Sequence, residues 1–399
     1  IMAGGYDVDY ISDSFIKSTS CQDGMLKTRG GACYKALIVP AVKLIPVSTL
    51  KKLVALARQG ATVVFVEHYP EDVPGYASLK QNREQLFALL EQLPGEKSFR
   101  GTQAFNFGKG RIIVGSDYHE TLERTGVPAE ELKTRWGVQF IRRTHTEGHH
   151  YFISDLQAND VEGWVTLNVP EKHIMCFDPM TGKRGIAKTR EVEGKTQVYM
   201  QLKSGESIIL QTFTRSLQGE PEWKYRKEMD YSLSLDHGWK LRFVESYPAI
   251  EGEFKIDTPS SWTEIAHPAA KINRGTALYS LELDLPELSA DDWVLDLGDV
   301  RESARVRING QEAGIAWAAP FRLSIGQLLK SGKNLIEVEV TNLPANSIAE
   351  MDRQGKQWRI FEDINMAKLN YEKGTYGHWE TLPSGLNGIV RLIPVKYLF

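Results

Sequence analysis

The hydrophobic period of the chain changes near residue 135, from helical spacing between short buried runs to strict alternation, and no single layer architecture accommodates both. Upstream, residues 34–40 (YKALIVP) and 61–67 (ATVVFVE) read as strands. Between them, residues 48–59 carry Leu50, Leu53, Val54 and Ala57 at helical spacing. Ser48 is the expected N-cap and Gly60 the expected left-handed residue closing that helix. A second helix over about 79–92 and a buried strand at 110–115 (GRIIVG) complete an open parallel α/β layer assigned to residues 1–117, with its first strand missing or very near the start. Downstream, residues 138–143, 151–154, 162–169, 197–202 and 207–212 alternate as antiparallel strands of a second domain, 118–217. Residues 218–238 begin with a charged, aperiodic stretch (QGEPEWKYRKEMD) that reads as a linker or surface helix. Evenly spaced strands at 239–245, 276–285, 293–297, 304–308, 321–325 and 334–341, with a late one at 388–394, assign 239–399 to a second β-sandwich. Asn309-Gly310 is a two-residue hairpin signal inside it, because both positions tolerate positive φ.

Length and composition agree with several folded modules. The chain has 399 residues, 42% apolar and 25% charged, enough for two or three cores at roughly 150 residues per domain. Forty-eight basic against fifty-one acidic residues give a net charge of -3, which argues against nucleic acid or an anionic membrane as a partner. No apolar run approaches the ~20 residues of a spanning helix, so membrane insertion is not expected. Three cysteines, Cys21, Cys33 and Cys176, exclude a disulfide scaffold and leave at most one bridge. Cys21 and Cys33 read as inert thiols, with a bridge as the alternative in an oxidising compartment. The opening IMAGG has neither a charged nor an apolar leader region, and the chain reads as a fragment of something longer.

Several polar clusters invite chemistry and have a plainer reading beside it. Asp7, Asp9 and Asp13 in GYDVDYISD lack the oxygen at position 5 and the glycine at position 6 of a calcium loop, where Ile11 and Ser12 stand, so a strand end and turn are expected. His145, Glu147, His149 and His150 in THTEGHH are spread across a hairpin by Gly148, one residue too close for the zinc-protease pattern, and read as a solvated turn. Cys33 in GGAC precedes its strand instead of following it, so the nucleophile elbow is absent. With no P-loop, no G-x-S-x-G and no dinucleotide fingerprint, neither a cofactor nor a metal is expected. Glycoside chemistry asks for two carboxyls ~5 to 9.5 Å apart. The best local candidates are Glu350, Asp352, Glu362 and Asp363 in the long excursion before residue 388, with solvated loop carboxylates as the favoured alternative.

Aromatic residues concentrate late: seven of nine tryptophans lie from Trp223 onward. An indole's flat apolar face and single donor suit a sugar ring's C–H face and equally suit a sandwich core. Trp239 and Trp293 fall in strands and read as core. Trp317, Trp358 and Trp379 fall in or beside loops, near Arg322, Arg359 and His378. The candidate carbohydrate contacts are therefore Trp317, Arg322, Trp358, His378 and Trp379.

With those residues laid out, the C-terminal half resembles the galactose-binding-like jelly roll appended to many glycoside hydrolases. The matching segments are Leu297 to Val300, Ala304 to Gly310, Pro320 to Arg322 and Gly332 to Leu335, though Leu335 follows Asn334 without the usual spacer. More narrowly, YKALIVP, LARQGATVVF, FIRRTHTEGHHYFISDL, VTNLPANSI and SGLNGIVRLIPV, in that order, resemble the C-terminal part of family 106 glycoside hydrolases, the inverting α-L-rhamnosidases. The resemblance implies an open parallel, flavodoxin-like α/β layer followed by two antiparallel sandwiches, the last a jelly roll. It implies a carbohydrate partner, an upstream catalytic barrel in the same polypeptide, and a periplasmic or secreted location. The family's acid and base sit on that barrel, so no catalytic residue carries over. The expected role is therefore a non-catalytic region shaping a hydrolase cleft. The alternatives are a stand-alone carbohydrate-binding protein and a hydrolase using its own loop carboxylates. The excursion 349–383 matches no part of the pattern.

Overall fold

Three short apolar runs, Ala36–Val39, Thr62–Val66 and Gly110–Gly115, pair in parallel, with Val64 opposite both Ile38 and Ile113. The structure is a computed structural model that describes residues 1–95, 101–286, 289–360 and 374–399, mostly as β-sheet with few helices. These three strands belong to the first of two compact units, made of residues 1–142, 165–170 and 190–197. All five side chains of Thr62–Val66 are buried, which is why this strand reads as a continuous apolar run. A fourth strand, Gln103–Phe107, turns back antiparallel onto Gly110–Gly115. The turn needs Gly108: its φ is +63°, and a Cβ there would stand 2.7 Å from the Cα of Arg58.

The helix Val47–Gln59 buries Leu50, Leu53, Val54, Leu56 and Ala57 in this unit's core. Its N-cap is Pro46, not Ser48, which sits within the first turn. The extended conformation of Pro46 brings the chain in, and its carbonyl accepts from Thr49 and Leu50, leaving no capping role for the Ser48 hydroxyl. Gly60 closes the helix at φ 131°, donating to Ala57 and Leu56. The second helix is Leu79–Leu90. The Asp-rich segment forms no strand: it leads as irregular chain into the helix Asp13–Ser18, where Thr49 Oγ1 donates to Asp13 at 2.7 Å. Alternation over five residues has no neighbouring strand to pair with there. Cys21, Cys33 and Cys176 are free thiols.

The second unit comprises residues 143–164, 171–189 and 198–399. His173–Phe177, Ser207–Phe213 and Gly148–Ser154 run antiparallel in one sheet, with Cys176 opposite Leu210 and Leu210 opposite Tyr151. Two further sheets build a sandwich. The larger orders Glu253–Ile256, Trp239–Tyr247, Arg274–Leu285, Gly332–Thr341, Ser303–Ile308 and Gln311–Ala316. The other orders Tyr225–Glu228, Arg391–Leu398, Asp292–Asp296 and Arg322–Ser324. Inward side chains of both, among them Trp239, Tyr279, Val306 and Val338 from one and Trp293, Leu295, Leu323 and Leu392 from the other, form one core. Each strand expected beyond residue 238 has its counterpart. The stretch 218–238, expected as linker, instead contributes Tyr225–Glu228 and Leu233–Ser234, both paired with Arg391–Leu398. Backbone pairing at a sheet edge is indifferent to side-chain polarity, so charged residues conceal it.

Candidate functional site

The excursion after Thr341 begins with the helix Ala345–Arg353, and the side chains at the end of that helix organise the aromatic residues that follow. The Trp358 indole donates to Asp352 Oδ1 at 2.5 Å, and the backbone N–H of Tyr376 donates to the other oxygen of that carboxylate. These donors hold the Asp352 carboxyl below its ordinary range, the Tyr376 amide first and the Trp358 indole second. Arg353 donates to the carbonyls of Gly377 at 2.8 Å and Trp379 at 2.6 Å, and Glu350 Oε2 lies 3.3 Å from Arg353 Nη1. One helical turn thus ties down the loop that carries the aromatics.

Trp358 and Trp379 meet through Tyr376. The Tyr376 ring lies 5.7 Å from that of Trp358 and 4.5 Å from that of Trp379, at 45° and 46°. Arg359 covers Trp358 and Tyr376 at 5.0 and 5.2 Å, a cation–π arrangement. Trp358 has therefore spent its donor on Asp352 and one face on Arg359, and it supports the cluster. Trp379 remains exposed, as does His378 beside it, and these two are free to meet a ligand. Tyr376, Asp352 as an anchor and Arg353 as a clamp were not evident from sequence. The links to Tyr376, Gly377 and Trp379 join segments more than twenty residues apart, and no local pattern encodes them.

The other candidates lie in different settings. Trp317 follows the strand Gln311–Ala316 and is 61% exposed. Arg322 is nearly buried. Its Nη2 donates to Glu228 at 3.0 Å and its Nε lies 3.3 Å from Asp296 Oδ2, so its charge joins strands. Trp239 and Trp293 are core residues, as is Trp262. Of the loop carboxylates, Glu350 and Asp352 are engaged as described, and Glu362 and Asp363 lie outside the described residues. In the histidine cluster, His145 Nε2 meets the Thr212 carbonyl at 3.1 Å and His149 Nδ1 lies 3.3 Å from Glu171. Among the described residues no group of three or more potential ligands is arranged to hold a metal.

Two open clefts stand apart from the aromatic cluster in composition. One, ≈ 590 Å³, lies at the amino ends of the parallel strands, lined by Lys35, Lys109 and Arg111 with Asp23. It is at the end opposite to the one where parallel α/β sheets ordinarily hold ligands. The other, ≈ 670 Å³, is formed by loops at one end of the sandwich.

Comparison with known proteins gives these features a family context. Residues 2–189 match the glycoside hydrolase family 106 model, described as α-L-rhamnosidase. The structure of a rhamnosidase from Novosphingobium sp. PP1Y superposes over 96% of this chain, with a TM-score of 0.73 and 25% identity, and the chain covers 36% of that protein. A protein of Formosa agariphila carrying a provisional β-glucuronidase assignment is 29% identical over 197 residues, 45% of this chain and 17% of that protein. A β-glucuronidase from an uncultured Clostridium overlaps 46% of the chain and 31% of its own length at 19% identity and a TM-score of 0.29. The chain thus spans well under half the length of each of these relatives. By the family match over residues 2–189 and the structural likeness to a rhamnosidase over nearly its whole length, the chain is similar to the family 106 glycoside hydrolases.

Proposed function

We propose that this chain is a non-catalytic region of a glycan-degrading hydrolase acting on α-L-rhamnosides, packing on a catalytic barrel elsewhere in the polypeptide and shaping its cleft. The observation that carries this reading is its likeness to a rhamnosidase over 96% of the chain but only 36% of that enzyme. In this reading residues 1–117 are a flavodoxin-like layer, 118–217 a β-sandwich and 239–399 a galactose-binding-like jelly roll, and the protein works in the periplasm or outside the cell. The engagement of Glu350 and Asp352 supports it further. A general acid must hold a proton near neutral pH, whereas the donors around Asp352 favour its ionised form.

The test is turnover of an aryl α-L-rhamnoside by the 399-residue chain. Without a positioned acid and base the chain folds and releases no product above background, because one such group typically contributes ~10² to 10⁴ in rate. Turnover that disappears on Glu350→Gln would move the chemistry into this chain. Titration of rhamnose-containing oligosaccharides followed by tryptophan fluorescence tests the sugar contact, and Trp379→Ala should remove the response with no loss of stability.

A further inference from the structure

The ≈ 670 Å³ cleft is bounded by three loops of the second unit, Ser260–Lys271, Asp299 and Thr381–Asn387. Most of its lining residues are polar, and Ser260, Thr263, Glu264, Lys271, Asp299 and Thr381 bring hydroxyl, carboxylate and ammonium groups, but apolar atoms, those of Pro383 among them, make up about as much of its surface; among the described residues no aromatic side chain lines it. The volume falls within the ~300 to 1,000 Å³ of small-molecule sites.

The loops are fixed to each other beneath that surface. Ser261 Oγ accepts from the Ser384 amide at 2.9 Å, the Trp262 amide donates to the Ser384 carbonyl at 2.9 Å, and the Asn387 amide donates to the Asp299 carbonyl at 2.8 Å. Asn342 Nδ2 reaches Ser384 Oγ at 3.1 Å. The three loops are therefore held to one another by the protein's own hydrogen bonds, and a ligand need not supply that ordering.

Charge decides what the cleft accepts. Asp299 is paired with Arg301 at 2.8 Å, while Glu264 and Lys271 have no ion-pair partner among the described residues. Two carboxylates thus stand against two cations, with no surplus positive charge for a phosphate or uronate. Unmet donors and acceptors beside apolar surface suit a ring that carries vicinal hydroxyls and C–H faces together. We infer that this cleft is a binding site for a neutral saccharide, separate from the aromatic cluster of Trp358, Tyr376 and Trp379. The ligand class rests on the carbohydrate reading above.

Calorimetric titration of the whole chain with methyl α-L-rhamnopyranoside, a neutral rhamnose oligosaccharide and sodium D-glucuronate tests the assignment. The neutral probes should bind and glucuronate should bind more weakly or not at all. Glu264→Ala and Lys271→Ala, both exposed and unpaired, should each weaken the methyl rhamnoside tenfold or more with unchanged thermal unfolding, whereas Trp379→Ala leaves that binding in place and removes only the fluorescence response to the oligosaccharide. Unchanged affinity in both cleft variants, or a preference for glucuronate, overturns the site. Binding removed by Trp379→Ala alone overturns the cleft while leaving the carbohydrate reading intact. Failure of every probe to bind overturns both.

Discussion

The Trp358 indole N–H donates to the Asp352 carboxylate at 2.5 Å, and the same carboxylate accepts from the Tyr376 backbone, so one ionised group positions two of the three rings in the aromatic cluster. A carboxylate in this role is a support for a surface and is unsuited to donating a proton.

That arrangement has a pH signature. The folded-state pKa of Asp352 lies below its ordinary value of 3.8, so its contribution to stability is present above that value and is lost as pH falls through the folded pKa. An acid titration of tryptophan fluorescence should show a step below pH 3.8, and the step should be missing in Asp352→Asn. At neutral pH, Asp352→Ala should make the indoles more accessible to acrylamide quenching. A step that survives in Asp352→Asn would assign it to another carboxylate.

Arg322 was expected to touch sugar, and its surroundings predict a stability effect instead. Its side chain is 14% exposed between Glu228 and Asp296, which are 38% and 27% exposed. Arg322→Ala takes the cation from Asp296 and leaves Glu228 with Lys203 alone, 3.1 Å away, and should cost about 1–3 kcal/mol, a buried-pair loss reduced by partial solvation. Arg322→Lys should recover only part, since one ammonium does not reproduce the guanidinium's two directed contacts. The urea midpoint reads both effects, and saccharide affinity should stay unchanged.

The hairpin at Asn309-Gly310 has φ of 53° and 79° at its two central residues, as the dipeptide predicts. Nothing lies within 4 Å of a Cβ built on Gly310, so a substitution there meets only the conformational penalty. Gly310→Val should lower stability by more than ~1 kcal/mol and Gly310→Asn by much less, because asparagine tolerates the left-handed region. An unmoved denaturation midpoint in Gly310→Val would show that the turn rearranges freely.

What was legible in the chain follows from burial. Thr62–Val66 and Trp239–Tyr247 show themselves because one or both faces lie in a core and the side chains record it. Tyr225–Glu228 is an edge strand whose identity rests on backbone hydrogen bonds, and its polar sequence reads as linker, whereas the equally polar edge strand Gln311–Ala316 is announced only by the Asn309-Gly310 turn before it. Among the site candidates, exposure of Trp379 agreed with its position beside a loop, whereas the burial of Arg322 depended on Glu228, ninety-four residues away. The cleft leaves no mark in the sequence for the same reason, since its lining is gathered from three loops and none has a pattern of its own.

Gly385, within the SGLNG segment, combines both kinds of constraint. Its φ is +96°, and a Cβ there would fall 2.2 Å from Tyr279 Oη and 2.8 Å from Trp262 Cε3, both in the sandwich core. The same Tyr279 oxygen accepts from the Leu386 amide at 3.1 Å, so the chain passes as close to the ring as that hydrogen bond requires. Gly385→Ala should therefore cost about 2–4 kcal/mol, more than Gly310→Val, because overpacking adds to the backbone penalty. Tyr279→Phe alone should cost about 1–3 kcal/mol by leaving the buried Leu386 amide unpaired. In the double variant the clash with the hydroxyl is gone, so the two losses should sum to clearly more than the measured total. Losses that add to within ~0.5 kcal/mol would show that the loop, and not the Tyr279 hydroxyl, absorbs the new methyl group.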